Sequence, residues 1–106
     1  MDLVKKVKEI TIENEEFIMT FDMQSIAVYK EITGEAFVLG IQKLFSYDDE
    51  AIINFIASTL RRKSDPNKPL GNEIIEGNIL YFLLNHTEDV IMLVADSLPD
   101  KSSKKK

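Results

Sequence analysis

The stretch Lys8-Glu9-Ile10-Thr11-Ile12-Glu13-Asn14-Glu15-Glu16-Phe17-Ile18-Met19-Thr20-Phe21-Asp22 decides the fold. Ile10 and Ile12 alternate with Glu9, Thr11 and Glu13, so one face of an extended segment is apolar. Phe17, Met19 and Phe21 repeat that two-residue period. The link Glu13-Asn14-Glu15-Glu16 is short and polar, and Asn tolerates the positive φ of a tight turn. The pattern predicts two antiparallel strands, about 7–13 and 16–21, joined as a hairpin. A lone hairpin is at best marginal in water, so its apolar face requires helices to pack on.

The rest of the chain supplies them. Asp22 offers an N-cap, and Met23, Ile26 and Ala27 follow at helical spacing until Thr33-Gly34. Phe37, Val38, Ile41, Leu44 and Phe45 predict a second helix over 35–45. Gly40 inside it marks either a close helix contact or an irregular turn. Ser46, followed by Asp48, Asp49 and Glu50, reads as the capped start of a third helix carrying Ile52, Ile53, Ile56 and Leu60. Arg61, Arg62 and Lys63 fall where its last turn favours positive charge. Residues 64–71, with two Pro and one Gly, read as a loop. Asn72 then caps a helix of about 73–85, with Ile75, Ile79, Phe82 and Leu83 on one side. Thr87 with Glu88 and Asp89 opens a last helix that stops before Pro99. The expected architecture is α+β, a two-stranded antiparallel hairpin packed on four or five helices. One domain is expected over 1–99, with a disordered Lys-rich tail at 100–106.

Composition narrows the chemistry. The chain has 106 residues, no Cys and a single His. That excludes a disulfide framework, a Cys nucleophile and any pair of His ligands. The net charge is −5, from 13 Lys and Arg against 18 Asp and Glu. Setting aside the four Lys of 101–106 leaves nine against 18, or −9 for the rest. Such an acidic body disfavours nucleic acid. No apolar run reaches membrane-spanning length, so no membrane is expected, and the first residues lack a signal-peptide core; a cytoplasmic protein is expected.

Each candidate for chemistry has a structural reading beside it. His86 lies at a predicted helix end, where a cap or surface position suits it. Asp48-Asp49-Glu50 lacks the spaced oxygen ligands and Gly of a calcium loop, so these acids read as helix-start residues. Arg61-Arg62-Lys63 reads as a helix C-terminus; no GxxxxGK[ST], GxGxxG or GxSxG occurs. Neither a cofactor nor a metal is expected, and an enzyme is disfavoured. Val90-Ile91-Met92-Leu93-Val94-Ala95 is apolar around the whole circumference of a helix. A domain this small has little interior for such a helix. Either it is central or part of it meets another chain, and Tyr81-Phe82-Leu83-Leu84 raises the same question. The surplus apolar residues put forward as partner-binding are Phe37, Phe45, Ile79, Tyr81, Phe82, Ile91, Met92 and Val94.

The order of these pieces resembles a known family. A hairpin runs into Phe21-Asp22, and a helix with Ala27 ends in Glu31-Ile32-Thr33-Gly34. An apolar helix follows, then Ser46-x-x-Asp49 and Leu60-Arg61-Arg62, a Pro-containing loop and Asn72-Glu73. Over about residues 8–85 this is similar to the tail assembly chaperones of long-tailed bacteriophages and prophages of Gram-positive bacteria. It departs from them at Gly71-Asn72-Glu73, where members often carry Thr-Glu-Glu. The resemblance implies a non-enzymatic protein of the host bacterial cytoplasm. It would bind the long, helical tape measure protein and keep it soluble until the tail tube polymerises. The family is often made in two lengths by ribosomal frameshifting, for which Lys104-Lys105-Lys106 offers a possible A-rich site. A homo-oligomer is compatible with the same surplus surface. A structural tail component or tail completion protein, retained in the particle, is the alternative function.

Overall fold

The computed structural model describes residues 6–73 and 75–98. Two strands, β1 (Lys8–Ile12) and β2 (Glu15–Met19), pair antiparallel, with Ile10 opposite Phe17 and Ile12 opposite Glu15. The loop is only Glu13-Asn14, and both residues have positive φ, 50° and 70°. That is the backbone a two-residue type I′ turn demands, and its twist matches the strands it joins. The core face of the hairpin carries Ile10, Phe17 and Met19.

Helix α1 (Met23–Thr33) begins at Asp22, whose carboxylate accepts the Ser25 N–H at 3.1 Å. The Ser25 hydroxyl accepts the Asp22 N–H in return, a reciprocal capping box. The helix ends at Gly34 with φ 75°, which only Gly adopts without cost. Helix α2 (Phe37–Phe45) packs through Gly40 and Leu44. Gly40 is a close contact: a Cβ there would overlap Oη and Cζ of the buried Tyr29 ring and lie 2.9 Å from Cε2. Helix α3 (Asp49–Thr59) is capped by Asp48, which accepts the Ala51 N–H at 3.0 Å. The cap is therefore two residues later than the expected Ser46. Asp49 and Glu50 occupy the first turn.

Helix α3 is the hub. Ile52, Phe55, Ile56 and Ala57 are buried among β2, α1, α2 and the last helix. Tyr29 stacks on Phe55 with ring centres 4.5 Å apart, and Phe21 tilts against Phe55 at 6.0 Å. The buried hydroxyls of Ser58 and Thr59 are satisfied by donating to the Phe55 carbonyl.

The structure departs from the expected architecture at two places. Leu60–Arg62 is a third strand, β3, not a helical turn, and the sheet order is β1-β2-β3. Leu60 lies opposite Met19 and continues the core face, while Arg61 lies opposite Ile18 on the other. A buried ion pair overrides the helix-end preference of these basic residues. The Arg61 side chain is 1% exposed and grips Asp22 with both terminal nitrogens, at 2.7 and 3.1 Å. It also donates to Ser25 Oγ and to the Pro66 carbonyl, both at 2.9 Å.

The second departure lies near the C-terminus. One helix, α4 (Ile79–Ser97), replaces the two expected around residues 73–85 and from Thr87. The described residues of 71–77 form turns, so no helix starts at Asn72. Thr87 caps nothing; its hydroxyl donates to the Leu83 carbonyl one turn back at 2.6 Å. The molecule is thus α+β, with three antiparallel strands and four helices among the described residues. The helix stops before Pro99, as expected. Residues 99–106, including the proposed tail, lie outside those described.

Two outcomes are expected. Gly40→Ala would gain up to about 1 kcal/mol of helix propensity elsewhere. Here the clash with Tyr29 dominates, and denaturant unfolding should show a net loss of about 1–3 kcal/mol. Arg61→Met leaves Asp22 without its partner and should cost about 3 kcal/mol. Burial pushes the Asp22 pKa up, but the Arg61 guanidinium and the Ser25 N–H outweigh it and hold the carboxyl below its ordinary value. The stability this adds is present above the unfolded pKa of about 3.9 and is lost as pH falls through the depressed folded value. The gap between wild type and Arg61→Met should be full above about pH 5 and should shrink steadily in titrations toward pH 2.

Candidate docking surface

Helix α4 carries two seams. Phe82, His86, Val90, Leu93 and Ser97 are buried and face α3, spaced by three or four residues. Tyr81, Leu84, Glu88, Met92 and Ala95 are exposed and follow the same three-and-four spacing on the outside. Leu84 is 75% exposed, Met92 55%, and Leu80, a turn before Leu84, 68%. A helix with apolar rows on opposite sides has one row to pack its own domain and another left over.

This division answers the question posed by residues 90–95. Val90, Ile91, Leu93 and Val94 are interior, whereas Met92 and Ala95 face out. The central helix is α3, and α4 packs against it.

The proposed contact residues divide accordingly. Phe82 and Val94 are wholly enclosed, and Ile91 is buried too. They are core residues of this chain and offer no surface in this fold. Phe37 is half-buried and tilts against Phe21, with ring centres 6.3 Å apart. Phe45, Ile79, Tyr81 and Met92 are exposed. Leu80 and Leu84, within the apolar stretch 79–95, are exposed too, as are Val38 and Leu39 on α2. The signal for Leu84 was in the sequence, in its three-and-four spacing from Tyr81 and Glu88. Val38 and Leu39 lie across α2 from Gly40 and Leu44, which pack inward.

Tyr47 brings the end of α2 to the middle of α4. It stands at φ 63° in the turn before α3, and its hydroxyl donates to Glu88 Oε2 at 2.7 Å. This bond, more than the slight burial, raises the Tyr47 pKa above its ordinary value. Glu88 is thereby fixed within the outer seam, between Leu84 and Met92. Phe45, two residues before Tyr47 at the end of α2, is exposed as well.

His86 is not at a helix end. It sits inside α4, buried against the rings of Tyr81 and Phe82, with Nδ1 2.9 Å from Asp89 Oδ2. Its Nε2 is buried with no partner among the described residues. Asp89 lies 3.6 Å from the Lys8 ammonium, which ties the first strand to α4. Arg62 pairs with Glu15 at 2.9 Å and lies over the Phe17 ring, so the basic run 61–63 is committed to the sheet. Lys63 bonds Glu16 at 3.2 Å, which raises the lysine pKa.

Among the described residues, no three His, Asp or Glu side chains are grouped to hold a metal ion, and no helix is long and apolar enough to cross a membrane. Exposed apolar area on α4 and α2 is the main feature that the described residues leave in solvent. Comparison with family models, with curated proteins and with solved structures returns no match for this chain.

Proposed function

We propose that this chain is a non-enzymatic holding chaperone for a long helical protein, acting in the cytoplasm of a bacterial host. In this reading it is a tail assembly chaperone, and its client is the tape measure protein of a phage or prophage tail. The observation that carries the reading is the outer seam of α4. The fold fills its core through the inner seam, and Leu80, Leu84 and Met92 remain in solvent. Apolar rows at this spacing receive amphipathic helices by ridge-into-groove packing. The acidic surface keeps a protein with such a patch soluble. The family resemblance over about residues 8–85 suggests the identity of the client.

Co-expression tests it. The partner to test is the product of a long coiled-coil-rich reading frame, where one lies immediately downstream of this gene. With wild-type chain present, that partner is expected in the soluble fraction; alone, it is expected in inclusion bodies. Leu84→Glu with Met92→Glu should leave the chain's own stability within about 0.5 kcal/mol per site, since both side chains are exposed. The same pair should weaken partner binding at least about tenfold in titration calorimetry, the loss of one or two anchor contacts. Partner solubility that ignores the chain removes the reading. Mass spectrometry of purified particles addresses the alternative: a chaperone is absent from them, a structural component is present.

A further inference from the structure

The outer seam has a charge pattern that constrains what it holds. Helix α4 contains Glu88, Asp89 and Asp96 and no Lys or Arg. No Lys or Arg occurs between Lys68 and Lys101, nor between Lys43 and Arg61. The turn that holds Tyr47 continues into Asp48, Asp49 and Glu50, and Lys43 is the cation that lines the same cavities as these acids. Lys43, the nearest cation in sequence, is bonded to Glu35 at 3.1 Å. Lys8 reaches Asp89, but Glu88 is held in place by a neutral phenol, which leaves its charge uncompensated by that bond.

Glu88 also bears on self-association. The seam runs from Tyr81 to Ala95, and Glu88 is its midpoint. Two copies pairing seam to seam about a two-fold axis, antiparallel, would set Glu88 against Glu88 at the centre. Like charges so placed oppose association. A basic partner turns the same residue into an attraction.

We propose that the outer seam of α4, with Tyr47 at its side, docks an amphipathic helix whose apolar stripe is flanked by Lys or Arg. The seam spans 14 residue steps, about 21 Å, so the matching partner segment is about four helical turns long. Leu84 and Met92 receive the stripe, and Glu88 with Asp96 meets the flanking cations. Charge here selects the partner and speeds encounter; the apolar row supplies the adhesion. This rests on the reading that the surface receives a helical client, and it specifies which segments of a client are held.

Three fluorescein-labelled 16-residue helical peptides test it against the full chain by fluorescence anisotropy. The first has Leu at three-and-four spacing with Lys flanks. The second keeps the Leu stripe with Glu flanks. The third keeps the Lys flanks but has Ser in place of Leu. The first should bind at least about tenfold more tightly than the second at ~50 mM salt, and the preference should narrow at ~500 mM, where the Debye length falls to a few Å. The third should not bind. Glu88→Gln keeps an acceptor for Tyr47 but removes the charge, and should shrink the preference about threefold. Leu84→Glu should abolish binding of the first peptide, with circular dichroism melts reporting that the fold is intact.

Equal affinity for Lys- and Glu-flanked peptides overturns the proposal. So does a chain that sediments as a dimer and becomes a monomer on Leu84→Glu, since the seam is then occupied by a second copy. The two readings fail separately. Peptides bound without charge preference, alongside a client kept soluble by co-expression, remove the charge rule and leave the chaperone. Peptides bound as expected, alongside a client indifferent to the chain, remove the chaperone and leave the docking rule.

Discussion

The bidentate pair between Arg61 and Asp22 ties together more of the molecule than any other contact described. Asp22 caps α1, and Arg61 belongs to the third strand. The same guanidinium reaches Ser25 and the Pro66 carbonyl, so it joins a helix start, a sheet edge and the loop that follows. A buried cation with two carboxylate contacts and further acceptors has the satisfied environment that makes such burial tolerable. Its Nε alone has no partner among the described residues. Replacing the whole group by apolar side chains is a different experiment from removing one half, because desolvation offsets much of what an intact pair contributes.

With that corner fixed, the interior is organised around α3. Its buried side receives the sheet, and its flanks receive α1, α2 and α4. Three helices and a short sheet around so central an element leave the outer surfaces of α2 and α4 without a neighbour among the described residues. The apolar side chains there are spaced as if for packing, which scattered surface apolars are not. Gly40 shows how tightly α2 is drawn toward α1: the Tyr29 ring occupies the space a side chain would need. Close approach on the inner face holds Val38 and Leu39 outward.

Much of this was legible in the chain. Two-residue alternation gave the hairpin, and Asp22, Gly34 and the isolated Gly40 marked a cap, a stop and a contact. The third strand was hidden because it is three residues long and two of them are Arg, whose usual place is a helix end. The ladder with β2 and the distant Asp22, both invisible to local pattern, hold Arg61 as a strand residue. The continuity of α4 was hidden by Asn85-His86-Thr87-Glu88, a polar run that reads as a break. In the fold Asn85 and Thr87 donate to helix carbonyls one turn back, His86 Nδ1 meets Asp89, and Glu88 accepts from Tyr47. The same polar run hides the surface pattern, because only one continuous helix separates the inner row of Phe82 and Val94 from the outer row of Leu84 and Met92.

The sheet has a consequence in time. Its outer strands both pair with β2, but the Arg61 that locks the third lies 39 residues after Asp22. During synthesis at ~5–20 residues per second, the nascent hairpin waits about 2–8 s for that strand to be made. Through that interval one edge of β2 is unpaired, and Phe17 and Met19 lack Leu60. An open apolar edge of this kind is where a growing polypeptide meets its neighbours on the same polysome. The chain thus passes through a moment when its own sheet stands unsheltered.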